Sequence, residues 1–117
     1  MPQLFRCPYR GLPTLSERSA YEICLICWWE DDGQDDATAD EVWAPPNGEY
    51  SLTAARANFF AHGHMYNRGA GIAVVEQPGP TRVELLTYAR AVLSGAEPLD
   101  EAKLQNLLEA YYEKRDG

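Results

Sequence analysis

The chain has 117 residues, 45% hydrophobic and 24% charged, with a net charge of −8. Length and composition suit one globular domain, residues 1–117, with a modest core, and exclude a disordered chain. No apolar run approaches the roughly 20 residues of a membrane span, and the stretch MPQLFRCPYRG has no apolar signal core, so the expected location is the cytoplasm.

In chain order, residues 5–11 and 21–28 read as short strands and knuckle turns. Pro8, Gly11 and Pro13 punctuate the first; Tyr21, Ile23, Ile26, Trp28 and Trp29 give the second its β-branched and aromatic content. Residues 30–50 then turn to Asp, Gly, Pro and Asn, the composition of a long loop, with Trp43 and Tyr50 expected to pin it to the body. Ser51 is a good N-cap for a first helix carrying Leu52, Ala55, Phe59 and Phe60 on one stripe, and Gly63 suits its stop. IAVVE, residues 72–76, reads as a short strand. Thr81 and Glu84 form a capping box for a second helix with the stripe Val83, Leu86, Ala89, Val92 and Leu93, ended by Gly95. Asp100 caps a third, with Leu104, Leu107, Leu108, Tyr111 and Tyr112 at i, i+3, i+4 spacing. The last two helices are expected to form a hairpin. The fold class is therefore α+β: a small zinc-knuckle-like β part, a long acidic loop, then three helices.

The charge is concentrated. Between Ser19 and Ala55 there is no Lys or Arg, and nine acids fall there: Glu22, Glu30, Asp31, Asp32, Asp35, Asp36, Asp40, Glu41 and Glu49. The remainder of the chain is slightly basic. Such a segment repels nucleic acid and anionic membranes, and it favours a basic protein or a cation.

Three cysteines cannot all pair, and in a reducing compartment metal ligation or burial is expected before a disulfide. Cys24 and Cys27 form C-x-x-C, half of a zinc site; the matching upstream half offers Cys7 alone, since Tyr9 and Arg10 cannot replace thiolates. His62 and His64, near the end of the first helix, are the available nitrogens. No metal is therefore expected as the leading case. If zinc is bound, its ligands would be Cys7, Cys24, Cys27 and His64.

Cys7-Pro8 before Gly11, then YEIC-x-x-C-x-WEDD at 21–32 and SL-x-x-AR-x-NF at 51–59, resemble the bacterial cysteine-rich CPCC domain. The resemblance covers residues 5–63, leaving 64–117 as an extension. It implies a zinc-knuckle ancestry and a mixed fold. The departure is chemical: the family opens CPCCG, this chain CPYRG. The resemblance also implies a neighbourhood of polymorphic toxins.

Catalysis is not expected. Cys24 or Cys27 with His62 or His64 and an Asp can be written as a formal triad, but such sets arise in most sequences. DDGQDD lacks the order of a calcium-binding EF-hand loop, and no phosphate-binding or nucleophile-elbow motif occurs. The expected function is an immunity-type inhibitor that neutralises a basic, nucleic-acid-acting toxin domain as a monomer in a one-to-one complex. Its contact surface would be Glu30, Asp31, Asp32, Asp35, Asp36, Asp40, Glu41 and Trp43, with charge steering capture and the aromatics anchoring it. The alternative is a zinc-knuckle protein with structural zinc and an unrelated partner.

Overall fold

Phe5–Arg6 (β1) and Pro13–Leu15 (β2) pair antiparallel in the computed structural model, which describes residues 4–9, 11–72 and 76–113. The turn between them is a knuckle: the Gly11 N–H donates to the Cys7 carbonyl, and the Cys7 N–H to the Leu12 carbonyl, both at 3.2 Å. Glycine is required at 11 because the Tyr9 ring lies over it; a β-carbon would fall 1.7 Å from Tyr9 Cζ.

The expected second strand, residues 21–28, is not a strand. The Tyr21 N–H donates to the Asp31 carbonyl and the Asp31 N–H to the Glu22 carbonyl, both at 2.9 Å. Farther in, the Cys24 N–H reaches the Trp29 carbonyl and the Trp28 N–H the Cys24 carbonyl. The segment therefore folds back on itself around the C-x-x-C, leaving one isolated bridge between Ile23 and Glu30. Trp28 sits at φ 74°, in the left-handed region, which ends any extended run there.

The loop that follows is organised rather than free. Asp36–Thr38 form a 3₁₀ turn capped by the Asp35 side chain. Gln34 is buried and its amide donates to the carbonyls of Thr38 and Glu41, both at 2.8 Å. Helix α1, Leu52–His62, begins as expected: Ser51 Oγ accepts the Ala54 N–H at 3.0 Å, and Gly63 closes it at φ 90°. Leu52, Ala55 and Phe59 are buried; Phe60, expected on the same stripe, is exposed.

The chain forms two compact units, residues 1–68 and 69–117. Among the buried side chains of the first are Tyr9, Leu12, Leu15, Ile26, Trp29, Leu52, Phe59 and Met65. The second holds α2, Pro80–Leu93, packed against α3, Glu101–Glu113. Helix α2 starts one residue earlier than the Thr81 capping box implies. Pro80 supplies the first turn and Gly79 the N-cap, without a side-chain cap bond. Its buried face is Arg82, Leu85, Tyr88 and Ala89, rotated from the expected stripe, and Val83 is exposed. Tyr88 explains the rotation: its hydroxyl accepts the Asp100 N–H at 2.8 Å and donates to the Pro98 carbonyl at 3.2 Å, tying α2 to the linker. Asp100 does cap α3, accepting the Lys103 N–H at 3.1 Å, and Leu104, Leu108 and Tyr111 are buried. The centre of the expected IAVVE strand, residues 73–75, lies outside the described residues. The α+β layout is as expected, and no described helix is long and apolar enough to cross a membrane.

Candidate functional site

The β1–β2 turn and the folded-back 21–31 segment deliver three sulfurs to one place. Cys7, Cys24 and Cys27 are all buried, and their Sγ atoms lie within 4.8 Å of one another. All three are free thiols, with Cys7 Sγ and Cys27 Sγ 3.7 Å apart. Two groups from outside the trio reach the sulfurs: the Thr14 hydroxyl donates to Cys24 Sγ at 3.1 Å, and the Trp29 N–H to Cys27 Sγ at 3.4 Å. Sequence reasoning missed Thr14, because nothing in its neighbours marks it; only the β2 register carries it to the sulfur.

Burial alone would raise all three thiols. Cys24 nevertheless sits well below its ordinary value, because hydrogen bonds from Cys27, Cys7 and Thr14 outweigh its burial. Cys7 and Cys27 are pushed up, first by burial and then by Cys24. Of the three sulfurs, Cys24 is therefore the one whose surroundings favour losing its proton, as a metal ligand must. Tyr9 is buried beside them, edge-on to Phe59 with ring centroids 4.7 Å apart. Burial, then the charges of Cys24, Cys27 and Cys7, hold its hydroxyl up, so it stays a neutral wall of the cluster.

The model of the cysteine-rich CPCC family matches residues 5–80. The chain belongs to the cysteine-rich CPCC family. The match extends past the 5–63 expected from motifs, through α1 and up to the start of α2. No curated protein and no solved structure matches the chain.

The family's metal can be tested against this donor set. Soft thiolates suit zinc, and two thiolates sharing a zinc ion at about 2.3 Å stand about 3.8 Å apart. The 3.7 Å between Cys7 and Cys27 fits. So do the donors from Thr14 and Trp29, which are the outer-shell bonds that orient metal-bound sulfur. Three thiolates fit; the family's second CPCC cysteine is here Tyr9, and Arg10, at the third, lies outside the described residues. His64, the expected fourth ligand, is not in the cluster. It is buried, its Nδ1 accepts the Tyr66 N–H at 3.2 Å, and its ring meets His62 at 4.5 Å. His62 Nε2 lies 2.6 Å from the Tyr66 carbonyl. These histidines tie down the exit of α1.

The acids divide. Asp31 is fully buried, not at the surface: Oδ2 accepts Arg18 Nε at 2.8 Å and the Ser19 N–H at 2.7 Å, and Oδ1 accepts the Gly33 N–H at 3.2 Å. Asp35 pairs with Arg18 at 3.1 Å and Asp36 with Arg56 at 2.6 Å. Asp32 caps the Gln34 N–H. Asp40 accepts the Thr53 hydroxyl, and Glu41 the Trp43 indole N–H at 3.1 Å. Arg18 and Arg56, the residues bounding the base-free segment, thus reach back into it and claim three of its carboxylates. Asp35, Asp36, Asp40, Glu41 and Glu49 are exposed, the first two while ion-paired, and Trp43 is exposed rather than a pin. Tyr50 does pin the loop, accepting the Asn67 N–H at 3.0 Å.

Proposed function

We propose that this protein is a non-catalytic binding module whose N-terminal unit is fastened by a structural zinc ion on Cys7, Cys24 and Cys27. The observation that carries the reading is the convergence of three buried sulfurs from two separate knuckles. The ion's role is to lock those knuckles together, since apolar burial in a unit this small leaves little stability to spare. This moves the zinc-knuckle reading ahead of the expectation that no metal is bound.

The second reading, an immunity-type inhibitor of a basic toxin domain, concerns what the module binds. It is favoured by the exposed carboxylates Asp35, Asp36, Asp40 and Glu41, which share one loop with exposed Trp43, whose indole N–H donates to Glu41. That patch is smaller than the count of acids suggests, because Asp31 is spent internally.

Native mass spectrometry of the untagged chain from its host tests both. One zinc per chain, lost with Cys24→Ser and accompanied by a lowered melting temperature after chelation, is the expected result. A chelator that leaves the melting curve unmoved removes structural zinc. A co-purifying basic protein at one-to-one stoichiometry, released by salt, supports the inhibitor reading; retention unaffected by Asp40→Asn with Glu41→Gln and Trp43→Ala rules out this patch as its contact.

A further inference from the structure

The N-terminal unit also contains a cavity of about 240 Å³ that includes Trp28, Glu30, Asn47, Tyr50, Met65 and Tyr66 in its lining. Sites for whole small molecules ordinarily run about 300–1,000 Å³, so this one suits a single side chain. Its aromatic walls are held in place. Tyr50 and Tyr66 meet edge to face with centroids 5.8 Å apart, and the Tyr50 hydroxyl is fixed by the Asn67 N–H. Trp28 stands in its left-handed backbone conformation, a strained geometry of the kind that gathers at ligand clamps.

Glu30 is the one carboxylate in the lining. Asn47 clamps its backbone on both polar groups, accepting the N–H at 3.0 Å and donating to the carbonyl at 2.7 Å. While Arg18 and Arg56 claim Asp31, Asp35 and Asp36, the Glu30 side chain has no ion pair among the described residues. Its charge reaches the cavity wall: after burial and Tyr50, Cys27 and Glu30 are what hold the Tyr66 hydroxyl above its ordinary value.

An anion would be repelled here, and an apolar group would cover the carboxylate without pairing it. A guanidinium satisfies both features, stacking its flat face on aromatic rings and forking to a carboxylate. A free arginine would find no Lys or Arg in the lining to receive its α-carboxylate. We propose that this cavity is a pocket for an arginine side chain presented by a protein partner. The proposal rests on the partner-binding half of the proposed function and not on the metal.

The test titrates the full chain with N-acetyl-arginine methylamide and, separately, with its neutral citrulline isostere, following the Trp28 indole and the Tyr50 and Tyr66 rings by NMR. Saturable shifts with the arginine probe alone are expected, weakened about tenfold by Glu30→Gln, the loss of roughly 1.4 kcal/mol of charge pairing. Glu30→Gln keeps the backbone clamp from Asn47, so its fold is preserved and its spectrum verifies that. Tyr66→Leu, which removes one aromatic wall, weakens the probe severalfold. No saturable shift, equal response to citrulline, an unaffected Glu30→Gln variant, or preference for tetramethylammonium would each overturn the assignment. Metal content is measured on the same samples. Probe binding in zinc-free protein leaves the pocket standing without the metal centre, and failure in zinc-loaded protein does the reverse.

Discussion

Replacing Asp31 by Asn is the perturbation that best separates a structural carboxylate from a partner-facing one. Asp31 is fully buried and accepts three hydrogen bonds, two of them on Oδ2. Asn is nearly isosteric but turns one oxygen into a donor, so at least one of those bonds becomes a clash of donors and the rest lose their ionic character. Hydrogen bonds to charged groups contribute about 1.5–3 kcal/mol each, and breaking one partner of a buried pair costs up to about 3–5 kcal/mol. Arg18 is partly exposed, which places the cost at about 2–4 kcal/mol. For a unit of this size each kcal/mol moves the melting temperature by about 4–8 °C, so a drop of more than about 10 °C is expected. Trp28, Trp29 and Trp43 all lie in the first unit. Tryptophan fluorescence therefore reports its unfolding without interference from α2 and α3. Asp40→Asn is the control: Asp40 is exposed and Asn keeps an acceptor for the Thr53 hydroxyl, so its cost is below about 0.5 kcal/mol. A cycle with Arg18→Gln should return a coupling of about 1–2 kcal/mol. If Asp31→Asn melts with the Asp40→Asn protein, the carboxylate does not hold the loop and the division of acids drawn from the structure is wrong.

Acidification should loosen the same region. Burial pushes Glu22 and Asp35 up, but the Ser16 and Glu17 donors on Glu22 and the Arg18 and Asp36 donors on Asp35 outweigh it, leaving both carboxylates below their ordinary values of 4.5 and 3.8. A depressed folded value means stability that is fully present above those ordinary values and lost as pH falls through the folded ones. Fluorescence-monitored denaturation midpoints should thus be flat from neutrality to about pH 5 and decline below about pH 4; midpoints that rise on acidification would contradict it. Gly11→Ala should destabilise the first unit by about 1–3 kcal/mol, because its β-carbon would fall 1.7 Å from Cζ of the buried Tyr9 ring, which would have to shift within the core. A urea midpoint equal to that of the parent would show that Tyr9 moves freely.

Legibility in the sequence followed how local the determinant was. Both ends of α1 were readable because Ser51 and Gly63 act on the backbone within a turn of themselves. The face of α2 was not, because the Tyr88 hydroxyl turns inward to meet Pro98 and Asp100, beyond the helix itself. The aromatic, β-branched run at 21–28 satisfied strand propensity, yet the C-x-x-C turn and left-handed Trp28 overrode it. Cysteine spacing marked the metal candidates, but the arrival of Cys7 beside Cys27 depends on the whole β1–β2 turn. The acids could be counted and not sorted. Which of them are ion-paired is decided by two arginines, Arg18 and Arg56, that a tally of the 19–55 segment leaves out. The Glu30 cavity carried no motif, being assembled from the knuckle, the Pro-Asn-Gly turn and the exit of α1.

Arg56 also acts as a strut. From α1 it donates twice to the Pro8 carbonyl, at 2.9 and 2.7 Å, and once to Asp36 at 2.6 Å. One side chain therefore spans the residue next to Cys7 and the exposed rim of the acidic loop. A cation that captured Asp36 would compete with that guanidinium for the carboxylate and leave Pro8 as its remaining anchor. The exposed rim of the acidic loop and the knuckle that carries Cys7 share a single joint.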